Sequence, residues 1–173
     1  MPISLHAAFV PSALQMLGTA NHLIDAAEGW CGDADRAHGE AIGARIHEDM
    51  LPFSYQVKSV AVHTAGAIAG VRAGVFGPDL APPPEDFAGL RARVAEARTF
   101  LESVTVGELE GLEGRPMRFE MRDFRLNFVA EEFLLSFSQP NFYFHAATAY
   151  NILRMKGVAV GKKDFLGRIR LAT

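Results

Sequence analysis

Residues 136–150, Ser-Phe-Ser-Gln-Pro-Asn-Phe-Tyr-Phe-His-Ala-Ala-Thr-Ala-Tyr, sit inside a segment whose flanks read as one helix from about Ala130 to Lys156. Pro140 has no N–H to give the carbonyl four residues earlier, and its ring pushes that carbonyl away, so the helix is expected to bend there and leave the Ser136 carbonyl without its usual partner. Asn141 and His145 follow at i and i+4, which stacks them on one face together with Leu134, Thr148 and Ile152. That face is apolar apart from these groups and points inward. Two polar side chains on an inward face need partners. Gly157 suits a left-handed C-terminal cap.

Working outward, the spacing of Leu14, Leu17, Ala20, Ile24 and Ala27 predicts a helix over Val10 to Glu28, with Pro11 in its first turn and Gly29 at its end. Cys31 to Leu51 reads as a long connection with one short helix around Glu40 to Ile46. Pro52 opens a second helix to Ala73, with Val57, Val60, Thr64, Ile68 and Val71 on one face. Gly66, Gly70 and Gly74 recur every fourth residue of it, at a cost of about 0.5–1 kcal/mol for each interior glycine, and predict a neighbouring helix in close approach. Residues 77–84, with three adjacent prolines, form a stiff connection. A third helix, Glu85 to Ser103, buries Phe87, Leu90, Val94, Ala97 and Leu101.

Period-two alternation appears in one place. Met117, Phe119 and Met121, then Phe124, Leu126 and Phe128 after a turn at Arg122 and Asp123, predict a hairpin with one apolar face. Two strands are rarely stable alone, so that face is expected to lie on the helices. Phe165 and Leu166 are expected to anchor the tail. Together these elements make an all-α four-helix bundle with a small β-hairpin inserted between the third and fourth helices, in a single domain over residues 1–173.

The chain has 173 residues, 49% hydrophobic and 21% charged, which is the balance of a folded domain. A formal net charge of -3 gives no overall basic surface for nucleic acid or an acidic membrane. No apolar run reaches bilayer length and the N-terminus shows no basic targeting segment, so the expected location is cytoplasmic. The single cysteine, Cys31, fits a reducing compartment; in Trp30-Cys31-Gly32 the second thiol of a redox motif would have to stand at Ala34. Cys31 reads first as a packing residue and second as a nucleophile.

His63, midway along the second helix, is the expected partner of the Asn141 and His145 face. Three side chains from two helices, His63, Asn141 and His145, can form one face of a divalent metal's coordination shell, zinc or nickel, although an amide is a poor zinc ligand. The same three can instead form a metal-free buried hydrogen-bond network. Phe142, Tyr143 and Phe144 are explained by packing. His22 could reach the pocket if its helix turns that way, and His6, His38 and His47 follow no ligand spacing.

PNFYFHAATAYNILRMKGV, the following GKKDFLG and the QVKSVAVH run resemble the uncharacterised branch of the DinB-like superfamily over nearly the whole chain. The resemblance implies a four-helix bundle, commonly a homodimer. In metal-binding relatives a histidine on the second helix and an H-x-x-x-H pair on the last hold a divalent ion, and some are thiol-dependent transferases or isomerases. By position those ligands correspond to His63, Asn141 and His145, with Asn141 standing where the first histidine of the pair is expected, while Ala146, Ala147 and Thr148 replace the usual basic and amide residues. Two functions follow as expectations: a metal-dependent enzyme with an altered site, or a non-catalytic bundle that binds a small molecule or dimerises.

Overall fold

The computed structural model describes residues 3–171. Helix α1 spans Leu5–Gly32 and starts earlier than the apolar spacing suggests, because the Ser4 hydroxyl accepts the Ala7 N–H at 3.1 Å and caps it. Pro11 is therefore interior to the helix instead of in its first turn, and Gly29 does not end it. A short helix, α2 (Gly39–Ile42), interrupts the following connection.

The second long helix, α3, is α-helical over Phe53–Ala61, widens into a π-helical turn over Val62–Gly66, and resumes as α-helix over Ala67–Ala73. It closes on Gly74, whose φ of 74° is left-handed and suits glycine. Strand β1 (Val75–Phe76) follows at once. Gly70 explains part of the glycine repeat in a way the sequence did not suggest: a Cβ there would lie 2.9 Å from Phe76 Cβ and 3.2 Å from the Val75 carbonyl oxygen. The close neighbour is this strand rather than another helix.

Helix α4 (Phe87–Glu102) is capped by Asp86, whose carboxylate accepts the Gly89 N–H at 2.6 Å. All five expected core residues, Phe87, Leu90, Val94, Ala97 and Leu101, are buried. The proline-rich connection before it is held by Lys58, 3% exposed, which donates to the carbonyl oxygens of Asp79 and Ala81 and pairs with the Asp79 carboxylate at 3.1 Å. Helix α5 (Val106–Glu110) leads to β2 (Pro116–Met121) and β3 (Phe124–Val129), an antiparallel pair with Met121 opposite Phe124. Arg122, at φ 53°, makes the tight turn between them. The expected hairpin gains a third strand, because β1 pairs parallel to β2 and gives the order β1-β2-β3. Its apolar face is buried at Met117 and Phe119, whereas Met121 and Phe124 at the turn are exposed.

The last long helix, α6, is helical over Ala130–Glu132, π-helical over Phe133–Ser138 and α-helical over Gln139–Met155. Pro140 falls in the first turn after the π segment. The expected proline bend is therefore joined to a stretch in which the Gln139 N–H already reaches back five residues, to the Leu134 carbonyl. Gly157, at φ 83°, follows the helix end, and a short helix α7 (Lys162–Leu166) folds back along α1. Helix α1 packs on α4 and α6, and α3 packs on the same two. Their apolar faces join in one buried cluster that includes Phe9, Phe53, Phe87, Phe133 and Phe142. Among the described residues no helix is long and apolar enough to cross a membrane.

Candidate functional site

His63 lies in the π turn of α3, and His145 lies on α6 below its own π segment. The two imidazoles meet with ring centroids 5.7 Å apart and planes 21° from parallel. Both helices thus leave regular α geometry close to the pair, a departure that is frequent at functional positions. Aromatic side chains surround it: Phe76 of β1 and Phe137 of the α6 π segment have ring centroids 5.4 Å and 6.0 Å from His63. Tyr55 and Phe144 pack edge-on to His145 at 6.2 Å and 5.3 Å.

Gln56 fixes the state of His145. Its side-chain N–H donates to the Leu51 carbonyl oxygen at 2.8 Å, which turns its own amide oxygen toward His145 Nδ1 at 2.7 Å. An amide oxygen only accepts, so His145 Nδ1 carries the proton, and the neutral ring keeps its lone pair on Nε2. His63 has the opposite problem. Its Nδ1 is buried with no hydrogen-bond partner among the described residues. An unpaired buried polar atom of this kind costs about 1–3 kcal/mol.

Burial holds both rings neutral. Desolvation, with a smaller contribution from the neighbouring His145, lowers His63 to about 3. Desolvation lowers His145 to about 4. Neither ring is therefore poised near neutrality as a general base, but both offer lone pairs without first losing a proton.

The structure brings His63 and His145 together, while Asn141 is engaged elsewhere: its amide N–H donates to the Phe137 carbonyl oxygen at 2.7 Å, on its own helix. Asn141 thereby satisfies a carbonyl next to the π-to-α junction and makes no hydrogen bond to either histidine. No group of three His, Cys, Asp or Glu side chains is placed to hold one ion among the described residues. The donor set at the pair is two imidazoles, with an amide nearby that is already bonded, and it does not fit a closed metal site.

His22 does not reach the pocket; its Nε2 pairs with Asp164 at 2.8 Å, at the start of α7. Cys31 is 1% exposed and burial pushes its thiol up, so the nucleophile reading has no support from its surroundings. Phe142 is buried as a packing residue, whereas Tyr143 and Phe144 are exposed. Sequence reasoning missed Gln56, Tyr55, Phe76 and Phe137. Gln56 left one usable signal, since it lies seven residues before His63 and therefore two turns along the same face of the helix.

Long helices joined by a small sheet give this chain the fold of a DinB-like protein. The chain is similar to the crystal structure of a DinB family member protein from Shewanella denitrificans, at 25% identity and a TM-score of 0.77, covering 98% of this chain and 95% of that one. It belongs to the family described as domain of unknown function DUF1993, whose model matches residues 5–166. No curated protein matches.

Proposed function

We propose that this protein is a DinB-like four-helix bundle, folded as a single domain, that binds a small hydrogen-bond donor at the His63–His145 pair and does not use the pair for acid–base catalysis. The observation that carries this reading is the buried, unpartnered Nδ1 of His63 beside a His145 whose tautomer Gln56 fixes. Two neutral acceptors lined by Tyr55, Phe76, Phe137 and Phe144 suit an uncharged or cationic ligand with N–H or O–H groups. Being neutral, they give an anion no positive charge to pair with.

The second reading is a divalent ion, zinc or nickel, held by His63 and His145 with Asn141 as a weak third ligand. Two observations support it: metal binding needs neutral imidazoles, and Gln56 holds His145 as outer-shell acceptors hold ligating histidines. A homodimer belongs to either reading, with the exposed Tyr143 and Phe144 of α6 as its support.

Elemental analysis of chelator-free protein, with zinc and nickel titrations, separates the two. Near-stoichiometric metal that is lost in both His63→Ala and His145→Ala selects the metal reading. For the first reading, a thermal-shift panel of small amides, alcohols and amines gives at least one stabilising compound, and His63→Phe abolishes its effect. Equal shifts in wild type and His63→Phe reject it.

A further inference from the structure

The C-terminal segment is strapped along α1, and the strap carries charge. Gln15 donates its side-chain N–H to the Leu166 carbonyl oxygen at 2.7 Å, and the Thr19 hydroxyl donates to that of Phe165 at 2.7 Å. Gly167 follows at φ 59°, where a side chain would be strained and its Cβ would meet Thr19 Oγ1 at 3.1 Å. The chain then brings Arg168 and Arg170 to a cleft between α1 and α4. Arg98 reaches the same cleft from α4 because Gly18 leaves room: a Cβ on Gly18 would lie 3.3 Å from the Arg98 guanidinium. The resulting cavity of about 250 Å³ is lined by Arg98, Arg168 and Arg170.

These cations are poorly neutralised. Among the described residues Arg170 bonds only to uncharged acceptors, the Pro11 carbonyl oxygen and Gln15 Oε1 at 2.9 Å each and the Ser12 hydroxyl at 3.5 Å. Arg98 donates to the Leu14 carbonyl oxygen and has one loose carboxylate, Glu102, at 3.4 Å. Arg168 makes no ion pair or hydrogen bond with any described residue. Among the described residues, three guanidiniums against one carboxylate leave a local charge of +2 at the cleft (3 − 1), in a chain whose net charge is -3. Guanidinium forks match the oxygen geometry of phosphate, and a pocket floor already tied by Arg170 lowers the ordering cost of binding.

We propose that the cleft between α1, α4 and the C-terminal strap is an anion site that takes a phosphate group through Arg98 and Arg168, with Arg170 as the fixed wall. The same chemistry is offered by a free phosphorylated small molecule and by a phospholipid headgroup, and the experiment distinguishes them. Calorimetric titration with inorganic pyrophosphate is run beside co-sedimentation with phosphatidylcholine vesicles containing phosphatidic acid. The proteins are wild type, Arg168→Gln, Arg98→Gln with Arg168→Gln, and Arg125→Gln as a charge-matched control on the hairpin. Arg168→Gln removes no contact of the fold, so it stays folded even if the double variant does not. Saturable pyrophosphate binding that weakens about tenfold in Arg168→Gln and not in Arg125→Gln establishes a small-molecule site. Vesicle binding with the same variant pattern and no pyrophosphate binding assigns the site to headgroups. Absence of both, or equal weakening in Arg125→Gln, overturns the proposal.

Discussion

His145 takes its orientation from Gln56: the 2.7 Å contact between His145 Nδ1 and Gln56 Oε1, with Gln56 itself anchored to the Leu51 carbonyl oxygen, fixes which ring nitrogen carries the proton. Removing that acceptor leaves a buried N–H unpaired. Gln56→Met is expected to cost about 1–3 kcal/mol in urea unfolding and to mix the His145 tautomers in nitrogen NMR. An unchanged tautomer in the variant would mean that another group orients the ring.

The pair also makes stability depend on pH. Both histidines titrate lower in the folded chain, about 3 and about 4, than the ordinary value of 6.5, so the unfolded chain binds more protons across that interval. The contribution from neutral burial is therefore complete above pH 6.5 and is lost as pH falls toward 4. Each histidine supplies a slope of up to about 1.4 kcal/mol per pH unit. His63→Phe is expected to flatten the curve between pH 6.5 and 4.5 relative to wild type, as read by urea midpoints. Parallel curves would contradict the assignment.

Lys58 is the buried cation that ties the proline-rich connection to α3. Lys58→Met leaves the carbonyl oxygens of Asp79 and Ala81 without their donor, while the Asp79 carboxylate keeps Arg93 at 3.1 Å and the Ala81 N–H at 3.0 Å. The expected loss is about 1–3 kcal/mol, the cost of the unpaired carbonyl oxygens. Thermal melts of wild type and Lys58→Met read the loss, and an unchanged midpoint would contradict the tie.

Gly70→Ala sets helix propensity against space. Alanine gains about 0.5–1 kcal/mol in an exposed helix, but here its methyl would meet Phe76 Cβ at 2.9 Å and the Val75 carbonyl oxygen at 3.2 Å. A net destabilisation of about 1–3 kcal/mol is expected, by the overpacking mechanism. A stabilised variant would show that β1 moves away without cost.

Much of the helical layout was legible because period-3.6 patterns are local. The five apolar positions of α4 are all buried, and Gly157 does stand where the last helix stops. Pairing between distant segments was not legible: two residues, Val75 and Phe76, are too short for any period, yet they add a strand and explain Gly70. The start of α1 was misread because the cap on Ser4 outweighs the proline at 11. At the site, spacing located His63 and His145. It could not foresee that Asn141 bonds to its own helix or that Gln56 takes the orienting role, since both are particular side-chain hydrogen bonds that sequence periodicity does not register.

The most direct measurement is nitrogen-15 NMR of the imidazole rings of His63 and His145 from pH 7.5 to 4.5, assigned with His63→Phe and His145→Phe. Burial is expected to keep both rings neutral down to about pH 5, and the Gln56 contact to keep His145 protonated on Nδ1. Titration of either ring near 6.5, or a proton on Nε2 of His145, would contradict a neutral acceptor pair at the centre of this protein's site.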